Sequence, residues 1–456
     1  MFGSFFSAYS HAGQGHRVVV VGGGFGGLSV ALRLRRVPVQ IRLIDRRNFH
    51  LFQPLLYQVA TGALSPANIA APLRKVFGRQ KNCDVLLDAV TGFDFAKRQV
   101  HFKSSPSIGF DTLVVAAGAS HSYFGNPHWE QFAPGLKTIE DATEIRRRIL
   151  SAFESADRET DPMRRKAWLR FVIVGAGPTG VEMAGAVAEL SRHTLRNDFR
   201  HIDPADAEVI LVEAGPKVLG AFPDPLPSRG ERSLQRLAVI VRTQMRVADI
   251  SDESVELESM KEPGKRETIL TRTVLWAAGV QAAPLATRIV AAANELGESA
   301  DKIQQDRAGR IIVRPDCSLP GLPDVFVIGD MANYPDENGK PLPGIAPVAM
   351  QQGKFVATLL RNKLKGKPAP AFVYRDPGTM ATIGRSAAVA HVFGLKFSGV
   401  IAWLLWLFVH LMYIVTYRNR VLVLIQWSWS YLTWDRSARL ITGPKRQHAV
   451  KDQAND

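Results

Sequence analysis

Short apolar runs separated by glycine-rich turns organise the first two-thirds of the chain. Val18–Val21 is an unbroken valine run, which reads as a strand buried on both faces. The turn Gly22-Gly23-Gly24-Phe25-Gly26-Gly27 follows, and a helical pattern runs from Leu28 to Arg36. Pro38 interrupts it, and Val39–Ile44 reads as a second strand ending at Asp45. This is a βαβ unit. Residues 84–103 alternate between turn residues and predict a small antiparallel meander, and Leu113–Ala117 is an apolar strand closed by Gly118. The pattern then recurs. Phe171–Val174 is a strand, Gly175-Ala176-Gly177-Pro178-Thr179-Gly180 a turn, Val181–Leu190 a helix, and Val209–Val212 a strand ending at Glu213. Val274–Ala278 closes with Gly279 as the earlier strand closed with Gly118. A late strand, Val325–Ile328, ends in Gly329-Asp330, and a Pro/Gly-rich stretch leads to a helix containing Gln351 and Gln352. The expected fold is α/β, with two Rossmann-like dinucleotide-binding domains.

Both glycine turns fit the spacing G-x-G-x-x-G. Gly22 and Gly175 permit the tight turn. Gly24 and Gly177 let a pyrophosphate approach the backbone. Gly27 and Gly180 let helix and strand pack closely. The helix N-terminus behind each turn supplies free N–H groups and positive dipole. Asp45 and Glu213 each end the second strand of their unit, where a carboxylate can accept hydrogen bonds from ribose hydroxyls. A lone motif of this kind can be mimicked by any glycine-rich turn. Here strand, helix and acidic residue accompany it twice.

Composition narrows the classes. The 456 residues predict two or three domains. With 46% hydrophobic and 22% charged residues the chain is globular rather than disordered. A net charge of +15 suits a polyanionic neighbour, either nucleic acid or an anionic membrane, or simply a basic surface. No helix-turn-helix, zinc-finger or RNA-binding signature is apparent, so nucleic acid is not expected as a partner. Cys83 and Cys317 are the only cysteines and form no Cys-x-x-Cys pair. A dithiol centre or metal site is therefore not expected; both thiols should be structural and buried. Met1–His16 resembles neither a signal peptide nor a transit peptide.

The strand Val325–Ile328 with Gly329-Asp330 resembles the third FAD signature of two-dinucleotide-binding flavoproteins, in which the aspartate binds the ribityl chain. The resemblance implies FAD at the first glycine turn and NADH at the second, nested inside the first. Three further stretches resemble type II NADH dehydrogenases, the single-subunit NADH:quinone oxidoreductases. They are Asn48 through Gly62, Gly175 through Gly185 with Glu182, and Ala346-Pro347-Val348-Ala349-Met350-Gln351-Gln352. The likeness runs from Arg17 to about Thr442. It implies FAD contacts at Gly22, Gly24, Gly27, Asp45, Gly118, Gly329, Asp330 and Ala349. It implies NADH contacts at Gly175, Gly177, Gly180, Glu182, Glu213 and Gly279. Glu182, Gln351 and Gln352 would be the catalytic residues, and both glutamines would lie near flavin and quinone.

The family pattern Ala-Gln-x-Ala-x-Gln-Gln has Pro347 in place of its first glutamine here, which puts that side chain's role in doubt. A proline suits the first turn of a helix. Such a helix would point its positive end at the flavin. Glu182 equally reads as a first-turn glutamate answering the helix dipole, and the two glutamines as a polar helical turn. The implied activity passes a hydride from NADH to FAD and two electrons to quinone, without pumping protons. Competing readings are a soluble ferredoxin or rubredoxin reductase, a sulfide:quinone reductase-like enzyme, and a non-enzymatic, membrane-docked NADH sensor.

The domains expected are 17–130 with 300–371 for FAD, 131–299 for NADH, and 372–442 as a helical membrane-anchoring region; 1–16 and 443–456 should be flexible termini. Phe397–Tyr417 is long enough for one span, about 31 Å as a helix against a hydrocarbon core of about 30 Å. His410 lies inside it. Val421–Trp434 is too short to cross; it places Leu422, Ile425, Trp429 and Leu432 on one face and Gln426, Ser430 and Thr433 on another, an interfacial helix. Trp403, Trp406, Trp427, Trp429, Tyr431 and Trp434 suit the headgroup level. Arg418, Arg420, Arg436 and Arg439 could meet anionic lipid. The expectation is a monotopic anchor on the cytoplasmic face of a bacterial-type inner membrane, with a single span at 397–417 as the alternative and a homodimer as the assembly.

Glu213 sets a cofactor preference. A carboxylate about 5 Å from the extra phosphate of NADPH repels it by roughly 3 kcal/mol per unit charge at an effective dielectric near 20. Replacing Glu213 with Gln or Ala is expected to raise NADPH turnover in steady-state assays. An unchanged preference for NADH contradicts the assignment.

Overall fold

A computed structural model describes residues 15–296, 302–368 and 371–443. The expected tails lie outside these apart from residues 15, 16 and 443. The chain divides into two compact units. The first takes residues up to Leu51, Ala71–Ser120 and Val280–Asp376; the second takes Phe52–Ala70, His121–Gly279 and the chain from Pro377.

The first unit is built on a six-stranded sheet. Its order is Ser318–Leu319, Leu322–Val327, Thr112–Val115, His16–Val21, Val39–Asp45 and Cys83–Leu87. The neighbours of His16–Val21 run parallel to it on both sides, and only Ser318–Leu319 is antiparallel. Val18, Val20, Leu43, Leu113, Val114 and Val115 are fully buried, as a parallel sheet covered on both faces requires. The helix Phe25–Arg33 starts inside the glycine-rich segment, earlier than its apolar periodicity suggested. The helix Ala346–Lys363 packs on it through Gly353, where a Cβ would lie 2.5 Å from the Gly26 carbonyl oxygen. The meander lies further along the chain than 84–103 suggested. Cys83–Leu87 joins the main sheet, and Val90–Asp94, Gln99–Phe102 and Ile108–Gly109 form the antiparallel layer.

The second unit repeats the plan in four parallel strands. They are ordered Val239–Thr243, Glu208–Glu213, Arg170–Val174 and Thr273–Trp276. The helix Pro178–Glu189 follows the second glycine turn. A three-stranded antiparallel sheet, Met245–Ile250, Ser254–Ser259 and Arg266–Leu270, covers one side. Its core includes Val172, Val174, Leu257 and Trp276.

The C-terminal segment is not purely helical. It opens with an antiparallel sheet of Thr379–Gly384, Ala387–Val392 and Leu395–Ser398, and only then forms the helices Val400–Tyr413 and Tyr417–Thr433. This corrects the continuous helix considered at 397–417. The strand takes its first residues, Gly399 turns at φ +71°, and the backbone at Ile414 is extended before Thr416 caps the next helix on the Asn419 N–H. Fourteen residues make about 21 Å of helix, well short of a hydrocarbon core of about 30 Å. Among the described residues no helix is long and apolar enough to cross a membrane.

This segment docks onto the helix Pro178–Glu189. A Cβ on Gly185 would fall 1.6 Å from the Ile383 carbonyl oxygen, so only glycine admits the strand. Arg436 and Arg439, expected at lipid, are engaged by the protein itself, Arg436 in its interior and Arg439 at its surface. Buried Arg436 donates to the carbonyls of Thr61 and Ala186 and pairs with Glu189 at 3.1 Å, while Arg439 pairs with Asp198. Arg420 donates to the Ile414 carbonyl, which closes the turn between the helices. Trp406 is buried, and the Trp427 indole donates to Gln58 Oε1 at 2.7 Å.

Removing the Arg436 side chain leaves the buried Glu189 carboxylate without its ion-pair partner and held, among the described residues, only by the Arg385 N–H, at a cost of about 3–5 kcal/mol. Arg436→Met is therefore expected to lower thermal stability sharply, and the added change Glu189→Leu to recover part of the loss. Calorimetric unfolding of Arg436→Met within about 1 kcal/mol of the parent contradicts this.

Candidate functional site

The first unit gathers its candidate residues around one turn. Gly22 has φ +105°, and a Cβ there would sit 2.3 Å from the Ala116 carbonyl oxygen. A Cβ on Gly27 would lie 1.9 Å from the Gly22 carbonyl oxygen. These glycines are demanded by packing. Gly24 differs: a Cβ there meets nothing within 4 Å, so the space beside it is open to a ligand. Gly24 is also the N-cap of Phe25–Arg33 and supplies no side-chain cap. The helix therefore presents uncapped N–H groups at an open face, the arrangement that binds phosphate.

Asp45 reaches back to this turn. Its two oxygens accept from the Gly23 N–H at 2.6 Å and the Arg47 N–H at 2.8 Å. Burial raises its pKa, while those N–H bonds oppose the rise. The carboxylate thus fixes the loop. Around the same turn, a Cβ on Gly26 would touch Ile328 at 3.1 Å, and one on Gly329 would touch Ala349 at 3.1 Å. Gly118 and Gly329 take φ +74° and +70°. Gly344 lies against the Asp330 carboxyl.

The two glutamines are engaged by backbone. Buried Gln352 accepts from the Gly329 N–H at 2.7 Å, which holds the Gly329-Asp330 turn. Gln351 donates to the Arg375 carbonyl at 2.7 Å and accepts from its N–H at 3.0 Å. Pro347 stands in the first turn of its helix.

His50 was not singled out from sequence. It is buried, its ring stands edge-on to Phe25 at 5.1 Å, and Nδ1 bonds the Gly23 carbonyl at 2.9 Å. Burial lowers its pKa, so the ring is neutral, with the proton on Nδ1. Nε2 is then a buried acceptor with no partner among the described residues. An open cradle at Gly24, an uncapped helix end and an unpartnered acceptor behind the loop all fit a phosphate- and hydroxyl-rich dinucleotide such as FAD.

The second unit reproduces the geometry. Gly175 has φ +97°, and its Cβ would sit 2.8 Å from Ala278. A Cβ on Gly180 would lie 1.8 Å from the Gly175 carbonyl oxygen. Gly177 is open, with nothing within 4 Å, and caps Pro178–Glu189 without a side chain. Glu213 accepts from the Ala176 and Gly215 N–H groups, both at 2.7 Å, as Asp45 does in the first unit. Gly279, at φ +67°, follows the strand neighbouring this loop.

Glu182 is the fifth residue of its helix, beyond the first turn, so the dipole does not account for it. The Thr382 N–H approaches its carboxyl at 3.4 Å. The buried Trp406 indole N–H comes beside the same carboxyl without closing a well-formed hydrogen bond. Burial pushes the Glu182 pKa from 4.5 to about 8, against the small opposing pull of the Thr382 N–H. Trp406 stacks on His410 at 4.3 Å, and burial lowers His410 to about 4, so that ring is neutral. Both cysteines carry protonated thiols: burial raises buried Cys317 and lifts partly exposed Cys83 to about 12.

Two nucleotide folds, each ending in an uncapped glycine turn, define a pyridine-nucleotide flavoprotein architecture. The family model described as pyridine nucleotide-disulphide oxidoreductase matches residues 16–353, and the NDH2 C-terminal domain matches 377–434. The type II NADH:quinone oxidoreductase Ndh of Mycobacterium tuberculosis is 45% identical over 94% of this chain and 90% of its own length. The solved NDH2 of Plasmodium falciparum in complex with NADH superposes with a TM-score of 0.85 at 17% identity, covering 94% of this chain and all of that one. The sulfide:quinone oxidoreductase of Aquifex aeolicus shares the fold at a TM-score of 0.68 and 18% identity, over 92% of each chain. The chain belongs to the pyridine nucleotide-disulphide oxidoreductases and, within them, to the type II NADH:quinone oxidoreductase family.

The raised Glu182 pKa predicts a stability slope. Between pH 4.5 and about 8 the folded chain holds a proton that the unfolded chain has released. Stability therefore falls as pH rises through that window and levels off above it. Glu182→Gln is expected to remove this component, so the parent melting temperature falls relative to that of the variant as pH rises through the window. Parallel melting profiles across the window contradict the assignment.

Proposed function

We propose that this protein takes a hydride from NADH onto FAD and passes two electrons to a membrane quinone, without moving protons across the membrane. The observation that carries the reading is the duplicated, uncapped glycine turn in a chain whose C-terminal segment matches the NDH2 C-terminal domain. FAD supplies, when bound, the group that accepts a hydride and returns two electrons.

The protein's part is binding, orientation and proton handling. Gly22, Gly24, Gly27 and the helix N-terminus behind them hold the FAD pyrophosphate, with Asp45, Gly118, Gly329, Asp330 and Ala349 around it. Gly175, Gly177, Gly180, Glu213 and Gly279 take NADH in the same manner. Gln352 spends Oε1 on the Gly329 turn and offers its amide nitrogen to a quinone oxygen; Gln351 sits one residue before it. Quinone reduction consumes two protons. Glu182 holds one at neutral pH, so its carboxyl is the proposed donor.

The acceptor reading rests on the C-terminal helices. Ile401, Leu404, Phe408, Ile425, Trp429 and Leu432 are each more than half exposed, a larger apolar display than water tolerates without a partner. Arg418 is exposed beside them. An anionic lipid surface on the cytoplasmic face suits this chemistry and the net charge of +15. It favours a membrane quinone over a soluble ferredoxin or rubredoxin.

Anaerobic NADH is expected to bleach the visible flavin absorbance of the purified holoenzyme, and a quinone analogue to restore it. Restoration by a soluble protein acceptor but not by quinone overturns the reading.

A further inference from the structure

We infer that Phe124 is a specificity-determining residue that walls the nicotinamide half of the bound NADH. The inference rests on the NADH assignment of the second unit.

Tyr123–Asn126 is a tight turn closed by the Asn126 N–H on the Tyr123 carbonyl at 3.0 Å. Its central residues, Phe124 and Gly125, take φ +50° and +90°. Two left-handed central residues are the type I′ pattern, in which asparagine, aspartate or glycine normally precedes the glycine. A phenylalanine there is strained by its Cβ. The residue is also 67% exposed, so it gains little burial in return. Neither local conformation nor packing explains the choice.

The surroundings hold the turn in place. Tyr123 is buried and donates its hydroxyl to the Ala133 carbonyl at 2.8 Å. The Trp276 indole donates to the Ser122 carbonyl at 3.0 Å. The Phe124 ring leans on Trp276 with centroids 6.1 Å apart, and its edge reaches Gly279, where a Cβ would come within 2.6 Å of it. Glycine at 279 leaves the ring in this position undisturbed.

Strand order then says which half of the dinucleotide the ring meets. The sheet runs Val239–Thr243, Glu208–Glu213, Arg170–Val174, Thr273–Trp276. The chain winds outward from Arg170–Val174 through the strand that carries Glu213, and returns on the other side at Thr273–Trp276. The crevice opens at this reversal, above the carboxyl ends of the two central strands. Glu213 lies on the side that takes the adenosine ribose. The opposite half, with the nicotinamide, extends over the end of Thr273–Trp276, where Ala277 and Ala278 border the Gly175–Gly180 loop and Gly279 meets Phe124. An exposed aromatic face at that rim suits a flat ring such as the nicotinamide.

The test is Phe124→Asn in the holoenzyme, with Phe124→Trp as the aromatic control. Asparagine suits the left-handed site, so the melting temperature should hold or rise. NADH affinity should fall about tenfold, the loss of one aromatic pair, while ADP-ribose affinity stays within about twofold. Phe124→Trp should retain NADH affinity. Unchanged NADH affinity in Phe124→Asn overturns the inference, as does an equal loss for NADH and ADP-ribose. Flavin bleaching by NADH in the parent is read separately: its failure removes the NADH assignment, whereas its success with an unaffected variant removes only the role of Phe124.

Discussion

The structure depends on one constraint used twice: a helix must begin flush against the end of a parallel strand while its first N–H groups stay free. Any Cβ at Gly27 or Gly180 would collide with the carbonyl oxygen of Gly22 or Gly175. Without those glycines the helix could not approach, and its dipole would end away from the crevice. The open positions, Gly24 and Gly177, do the complementary task by leaving the N-terminus uncovered. Some helix starts elsewhere are closed by side chains, as Thr138 and Asp141 do for Ile139–Arg158. Phe25–Arg33 and Pro178–Glu189 combine an uncapped start with a glycine whose Cβ position is open, and that combination marks both ends as ligand sites. Asp45 and Glu213 stabilise both by tying the loop amides from behind.

The C-terminal segment is joined to the second unit through the same helix that begins at Gly177. Gly185 admits the strand at Ile383, and Glu189 pairs with Arg436. About one turn before Gly185, Glu182 is enclosed by Thr382 and Trp406, which raises its proton affinity. One helix therefore carries a nucleotide turn at its start, a neutral carboxyl beyond its first turn, and the docking residues for the apolar helices at its end. The pairing of Asn419 with the carbonyls of Ala67 and Ala70, and of Trp427 with Gln58, extends that attachment to the segment after Phe52.

Much of this was legible in the sequence because it is written in short, local signals. Strand, glycine turn, helix and terminal carboxylate recur at fixed spacing, and Gly329-Asp330 closes a late strand that lies parallel in the first sheet. What escaped depends on distant contacts. The apolar run at 397–417 hid a strand and two turns, because strand edges and helix faces share the same residue types. The arginines at 436 and 439 read as lipid ligands because nothing local announced Glu189 or Asp198. Glu182 read equally as a dipole partner until its helix proved to start at Pro178. His50 and Phe124 carry no periodic signal at all; one is marked by an unpartnered nitrogen, the other by a backbone angle.

The central claim is that the two open glycines hold different nucleotides. Valine at either position meets no protein atom near its Cβ, so both variants should fold. The decisive measurement is the visible spectrum of purified Gly24→Val and Gly177→Val before and after anaerobic NADH. The account predicts that Gly24→Val is colourless, and that Gly177→Val is yellow yet not bleached by NADH. A yellow Gly24→Val beside a colourless Gly177→Val would reverse the assignment and contradict it.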